Sequence, residues 1–137
     1  RDTGYFSLGG AQGKFSLGAT SQGWYEPTGK YPTTHIFKPH VRGQIDGELV
    51  EYVSMIVARA SGIETASVAV GVFEGEHSLV VERFDRIAMR ADYSPTGSGA
   101  VQNVIRVHQE DLAQATGVTR LQKYESHGGP TYRDVLR

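Results

Sequence analysis

The chain has 137 residues, about one domain's worth, and its 39% hydrophobic and 21% charged residues are those of an ordinary globular protein with a real core. A formal net charge of −1 supplies no overall basic field for direct nucleic-acid binding, and the absence of cysteine excludes disulfides, zinc thiolates and thiol chemistry. No apolar run approaches the roughly 18 residues of a membrane helix, so no membrane partner is expected. Lys14-Phe15-Ser16-Leu17-Gly18 alternates polar and apolar residues and predicts a half-buried strand, entered from the glycine-rich run Ser7-Leu8-Gly9-Gly10-Ala11-Gln12-Gly13. Residues 18–23 are rich in turn formers, Trp24-Tyr25 opens a second short strand, and 27–32 is a loop punctuated by Gly and Pro. His35-Ile36-Phe37-Lys38 is a third strand.

Leu49, Tyr52, Val53, Ile56, Val57 and Ala60 recur at spacings of three and four and predict an amphipathic helix. Asp46 is its expected N-cap, Glu48 suits the dipole of the first turn, and Gly62 follows its end. Two strand-like runs, 66–73 and 78–84, flank Gly75 and predict a hairpin. Composition shifts from Ile87 to Ala100, where residues 93–99 have no periodicity and read as a linker. Residues 111–115 predict a short helix ending at Gly117, and the polar turn region 123–130 precedes a last helix that reads as cut off.

The glycine-rich run is neither a P-loop nor a dinucleotide fingerprint. A P-loop ending at Gly13-Lys14 requires Gly at position 8 and Ser or Thr at 15, where Leu8 and Phe15 stand. The G-x-G-x-x-G spacing also fails, which leaves a plain hairpin turn as an alternative to a phosphate cradle. Lys38 on an apolar strand calls for an acidic partner if it faces inward; otherwise it is an edge lysine in solvent. Glu48 and Glu51 on the following helix are the two candidates, Glu51 lying at the edge of the apolar stripe. A strand lysine paired with a helix glutamate is the kinase device for placing nucleotide phosphates. The five histidines show no i, i+4 pair, so a metal site is not expected, and Ser7 has no G-x-S-x-G elbow around it.

Five segments, taken in order, resemble the HipA family of bacterial serine/threonine kinases, toxins of toxin–antitoxin pairs. They are Ser7–Lys14, Thr33-Thr34-His35-Ile36-Phe37-Lys38, Val81-Glu82-Arg83-Phe84-Asp85-Arg86, His108-Gln109-Glu110-Asp111 and Lys123-Tyr124-Glu125-Ser126-His127-Gly128-Gly129-Pro130. The resemblance covers nearly the whole chain. It implies an α+β fold: a protein-kinase-like N-lobe with an antiparallel sheet and one packed helix, plus the helical start of the C-lobe. It implies that Ser7 is the autophosphorylated loop serine and that Gly10, Ala11, Gln12 and Lys14 cover the nucleotide. Lys38 would be the ATP lysine, Glu51 its helix glutamate, and Glu82 and Phe84 the hinge that reads adenine. Gly13 departs from the charged or proline residue the family often has there, and His127 from the usual Asp.

The resemblance further implies ATP and Mg2+ as cofactors, a HipB-like helix-turn-helix antitoxin, DNA only through that complex, a protein substrate such as an aminoacyl-tRNA synthetase, and a cytoplasmic location. Residues 1–86 would be the N-lobe with the hinge, 87–107 a flexible linker and strand, and 108–137 the beginning of the C-lobe. A kinase also needs an Asp-x-x-x-x-Asn catalytic loop. The single asparagine is Asn103, with Ser98 five residues before it, so the chain reads as a fragment whose catalytic groups and magnesium ligands lie downstream and which does not turn over alone. The alternative reading is a non-catalytic regulatory or binding module derived from a kinase lobe.

Overall fold

The computed structural model describes residues 13–20, 23–26, 32–41, 43, 46–88 and 104–136. The segments expected to hold Ser7, Gly10, Ala11 and Gln12, the loop at 27–31 and the linker at 89–103 lie outside the described residues. The chain divides into two units, Arg1–Val107 and His108–Arg137.

The first unit is built on a five-stranded antiparallel sheet. Its strands are β1 (Phe15–Thr20), β2 (Gly23–Tyr25), β3 (His35–Pro39), β4 (Val68–Phe73) and β5 (Glu76–Glu82), in the order β2-β1-β3-β5-β4. β4 and β5 form the expected hairpin. Its two turn residues, Glu74 and Gly75, have φ of 51° and 86°, the doubly left-handed turn whose twist matches paired strands.

Register sorts the β3 side chains into two faces. Phe37 lies opposite both Phe15 and Val80, and Lys38 lies opposite Leu79. Because successive side chains alternate, Phe37 and Val80 share one face and Lys38 and Leu79 the other. On the first face Phe37 is ringed by Phe15, stacked at 5.1 Å, and by Trp24 and Phe73, edge-on at 4.9 and 5.3 Å. Phe37 and Leu79 are fully buried and form the centre of the core.

Helix α1 (Gly47–Ala60) packs against β4 and β5. Asp46 occupies the N-cap position as expected, but in a left-handed conformation and with no capping hydrogen bond from its side chain. The other end behaves as predicted. Gly62, at φ 85°, lets its own N–H reach the Arg59 carbonyl and the Ile63 N–H reach that of Ala58, a Schellman closure. The buried face of α1 departs from the expected stripe. Glu48 is buried and Leu49, Glu51, Tyr52, Met55 and Ala58 are half-buried, whereas Val53, Ile56, Val57 and Ala60 of the stripe are exposed. Glu51 is bonded to Lys38 of β3 and Glu48 to His40, the residue just after that strand, so both acids face the sheet.

β6 (Arg86–Ala88) and β7 (Val104–Arg106) pair as a separate two-stranded ribbon that brackets the expected linker. The second unit holds α2 (Leu112–Ala115), two 3₁₀ turns and α3 (Tyr132–Val135). Both helices carry reciprocal capping boxes, Asp111 with Gln114 and Thr131 with Asp134. Among the described residues no helix is long and apolar enough to cross a membrane.

Candidate functional site

Lys38 and Glu51 form the strand-to-helix ion pair: the Lys38 Nζ donates to Glu51 Oε1. Of the two acids open as partners, Glu51 takes the lysine and Glu48 turns to His40. His40 Nδ1 sits 3.0 and 3.1 Å from the two oxygens of Glu48, whose side chain is only 3% exposed. The Glu48 carboxyl is held below the ordinary range, chiefly by its own backbone N–H. Burial opposes this, and His40 and His77 reinforce it. Asp46 brings a third donor within 4.8 Å of His40 and Glu48, a set able to hold a cation; the imidazole and the buried carboxylate already satisfy each other without one.

The Glu82-Arg83-Phe84 segment leaves β5 and is fixed from both sides. Glu82 N–H donates to the Ser67 carbonyl and Arg83 N–H to that of Thr34, both at 2.9 Å. Phe84 N–H makes no hydrogen bond to a described residue, and its side chain is exposed. Flanking Phe84 is a buried ion-pair cluster. Arg83 grips Asp85 through Nε and Nη2, Arg86 adds Nη1 at 2.6 Å, and both guanidiniums reach back to Thr33, Arg83 to its hydroxyl and Arg86 to its carbonyl. The signal was present in the alternating charges of Arg83-Phe84-Asp85-Arg86, which sequence alone cannot tell from a solvated strand end.

Lys14 is half-buried just before β1, while Gly10, Ala11, Gln12 and Ser7 lie outside the described residues. A cleft of about 300 Å³ is lined by Trp24, His35, Val70, Phe73, Val80 and Glu82 among others, and neither Lys38 nor Glu51 touches it. His35, Phe37, Val80 and Glu82 share the face opposite Lys38, so this cleft is separate from the ion pair. In the second unit, Tyr124 to Gly129 closes a tight turn. The Tyr124 carbonyl accepts from His127 and Gly129, and a Cβ at Gly129 would meet the Gln122 carbonyl oxygen at 2.1 Å.

The model of the HipA-like C-terminal domain family matches residues 6–137. The chain belongs to this family. It is 38% identical over 130 residues to a Sinorhizobium fredii protein named "Putative kinase Y4mE", covering 95% of this chain and 29% of that one. It is 31% identical over 129 residues to the serine/threonine-protein kinase toxin HipA of Shewanella oneidensis, covering 94% and 27%. The structure of the Shewanella oneidensis HipA, HipB and operator DNA complex matches with a TM-score of 0.70 at 31% identity, over 95% of this chain and 28% of that one. The HipA-family chain thus spans under a third of the relatives' length. The expected α+β class, with its antiparallel sheet and one packed helix, is the HipA kinase-like fold.

Proposed function

We propose that these residues are the nucleotide-binding part of a HipA-type serine/threonine kinase. The Lys38–Glu51 pair carries the reading: a strand lysine held by a helix glutamate, in a sheet that matches the HipA fold. In this reading Lys38 holds the α- and β-phosphates of ATP, Glu51 keeps its ammonium aimed, and Gly10, Ala11, Gln12 and Lys14 cover the nucleotide. The backbone of Glu82 and Phe84 reads adenine. The unengaged Phe84 N–H supports that role, since an adenine-reading donor must be open. Magnesium would arrive with the nucleotide and neutralise phosphate charge; no residue of this chain is assigned to it.

The acceptor would be a protein serine or threonine, such as one on an aminoacyl-tRNA synthetase, in the bacterial cytoplasm. A HipB-like antitoxin would hold the kinase and contact DNA, as the named parts of the Shewanella complex support. Phosphorylation of Ser7 would add close to two negative charges beside the phosphate site and repel ATP. The 137 residues contain no Asp-x-x-x-x-Asn, so this stretch alone binds without turnover. Calorimetry of Mg-ATP binding to the full-length protein and its Lys38→Ala variant tests the reading. A loss of at least tenfold in affinity is expected, and equal affinities would remove Lys38 from the site.

A further inference from the structure

Lys38 and His40 stand two residues apart on one strand and its continuation, so their side chains share a face. Glu48 and Glu51 stand three apart on α1, one above the other on a single helix face. The two pairs are therefore parallel rungs between the same strand end and the same helix. We infer that the His40–Glu48 rung is a positioning device for the nucleotide lysine: it sets the rotation of α1 and thereby holds Glu51 on Lys38. This rests on the reading of Lys38 as the phosphate-binding lysine.

The second rung is the better buried of the two. In the Lys38–Glu51 pair the side chains are 21% and 34% exposed, so water competes for both. In the second rung the His40 side chain is 27% exposed but the Glu48 side chain only 3%, and both carboxylate oxygens face one imidazole nitrogen. A carboxylate that deep is costly without its partner and is expelled toward water when the partner is removed. His40 is itself fixed, because its backbone N–H donates to the His77 carbonyl at 2.9 Å, tying it to the start of β5. Among the described residues, His77 and Asp46 also lie near Glu48.

The N-cap holds the helix only through its backbone carbonyl, not through its side chain. Asp46 is left-handed and its side chain accepts no capping hydrogen bond, so Glu48 is the side chain that anchors the first turn. Turning that first turn outward to rehydrate Glu48 moves Glu51, one turn later on the same rigid element, away from Lys38. Of the apolar side chains on α1, the half-buried Leu49, Tyr52 and Met55 resist this rotation, whereas the largely exposed Val50, Val53 and Val57 resist it little.

The test uses the full-length protein with four variants: His40→Leu, His40→Gln, Glu51→Ala and His40→Leu with Glu51→Ala. Mg-ATP affinity is read by calorimetry and folding by thermal melts. His40→Leu is expected to weaken Mg-ATP about tenfold, and His40→Gln, whose amide still donates to Glu48, to restore affinity within about threefold of the parent. In the Glu51→Ala background His40→Leu should change affinity less than twofold, because the rung then has nothing to aim. Unchanged affinity in His40→Leu, or an equal loss with and without Glu51, would overturn the inference and leave His40 a purely stabilising residue. Amide hydrogen exchange across residues 48–58 reads the rung without any ligand. If the parent binds no nucleotide, the functional reading fails, while faster α1 exchange in His40→Leu still supports the rung and unchanged exchange still sinks it.

Discussion

Arg83 holds both carboxylate oxygens of Asp85, at 2.9 and 2.7 Å, with the two side chains only 7% and 5% exposed. This is a bidentate fork between residues two apart, and it bends the chain directly after Glu82. The second guanidinium, from Arg86, is tied to the Thr33 carbonyl at 3.0 Å, so the exit of β5 is bolted to the entry of β3. Removing the carboxylate leaves two buried cations facing each other. Asp85→Ala should therefore destabilise the protein by about 3 kcal/mol or more, measured as the shift of a urea unfolding midpoint. A loss below about 0.5 kcal/mol, the level of a surface pair, would show that the cluster is not buried in solution.

The same carboxylate defines an acid limb. Burial pushes the Asp85 carboxyl up, but the hydrogen bonds and charge of Arg83 and the charge of Arg86 together pull it down further, to a net position below the usual range. A depressed folded pKa means the contribution is present above the unfolded value of about 3.9 and lost as pH falls through the folded one. Unfolding midpoints measured from pH 5 down to pH 2 should drop, and that drop should be shallower in Asp85→Asn than in the parent.

His35 governs a different window. Burial, beside the edge of Trp24, lowers its pKa, and the Glu82 charge opposes this only in part. The imidazole is neutral in the fold and protonates more readily once unfolded. Stability is then full above the unfolded pKa of about 6.5 and falls as pH drops through the window below it. His35→Gln should lose less stability between pH 7.5 and 5.5 than the parent does, by the same urea midpoints. An identical loss would assign the limb to other histidines.

The Lys38–Glu51 pair was legible because an inward lysine on an apolar strand needs an acid, and only two glutamates on the next helix were within reach. The residues alone leave Glu48 and Glu51 both open; the family resemblance implies Glu51, and the lysine is paired with it. The rotation of α1 is less legible, because Val53, Ile56 and Val57 extend a plausible apolar stripe, and hydrophobic spacing alone cannot see that Glu51 is bonded to Lys38 and Glu48 to His40. His40 was passed over for a related reason. Following Pro39 it looks like a loop residue, and Glu48 already had an adequate explanation in the helix dipole. The Arg83–Asp85–Arg86 cluster depends on Thr33, fifty residues upstream of Arg83, and no local pattern carries a contact that long.

Glu51 separates aiming from folding. Its pair with Lys38 is partly exposed on both sides, so breaking it should cost no more than about 1 kcal/mol of stability. Its effect on ligand should be larger, because an unaimed ammonium must be ordered again on binding. Glu51→Gln is expected to weaken Mg-ATP several-fold with a melting temperature within a few degrees of the parent. A large loss of stability with unchanged affinity would make the pair structural and detach it from the nucleotide.

Ser16 tests the sheet face that carries Lys38. It lies opposite Ile36, on the same side as Lys38, and is 8% exposed. Its Oγ is fully buried and has no hydrogen-bond partner among the described residues. A hydroxyl buried without a partner bears a desolvation cost of roughly 1–3 kcal/mol, which a methyl group does not. Ser16→Ala should accordingly be neutral or raise stability by about 1 kcal/mol in urea denaturation, against the usual trend for a buried residue. A loss of 1 kcal/mol or more would show that the hydroxyl has found a partner, and the affinity of the same variant for Mg-ATP would then tell whether that partner belongs to the protein or to the ligand.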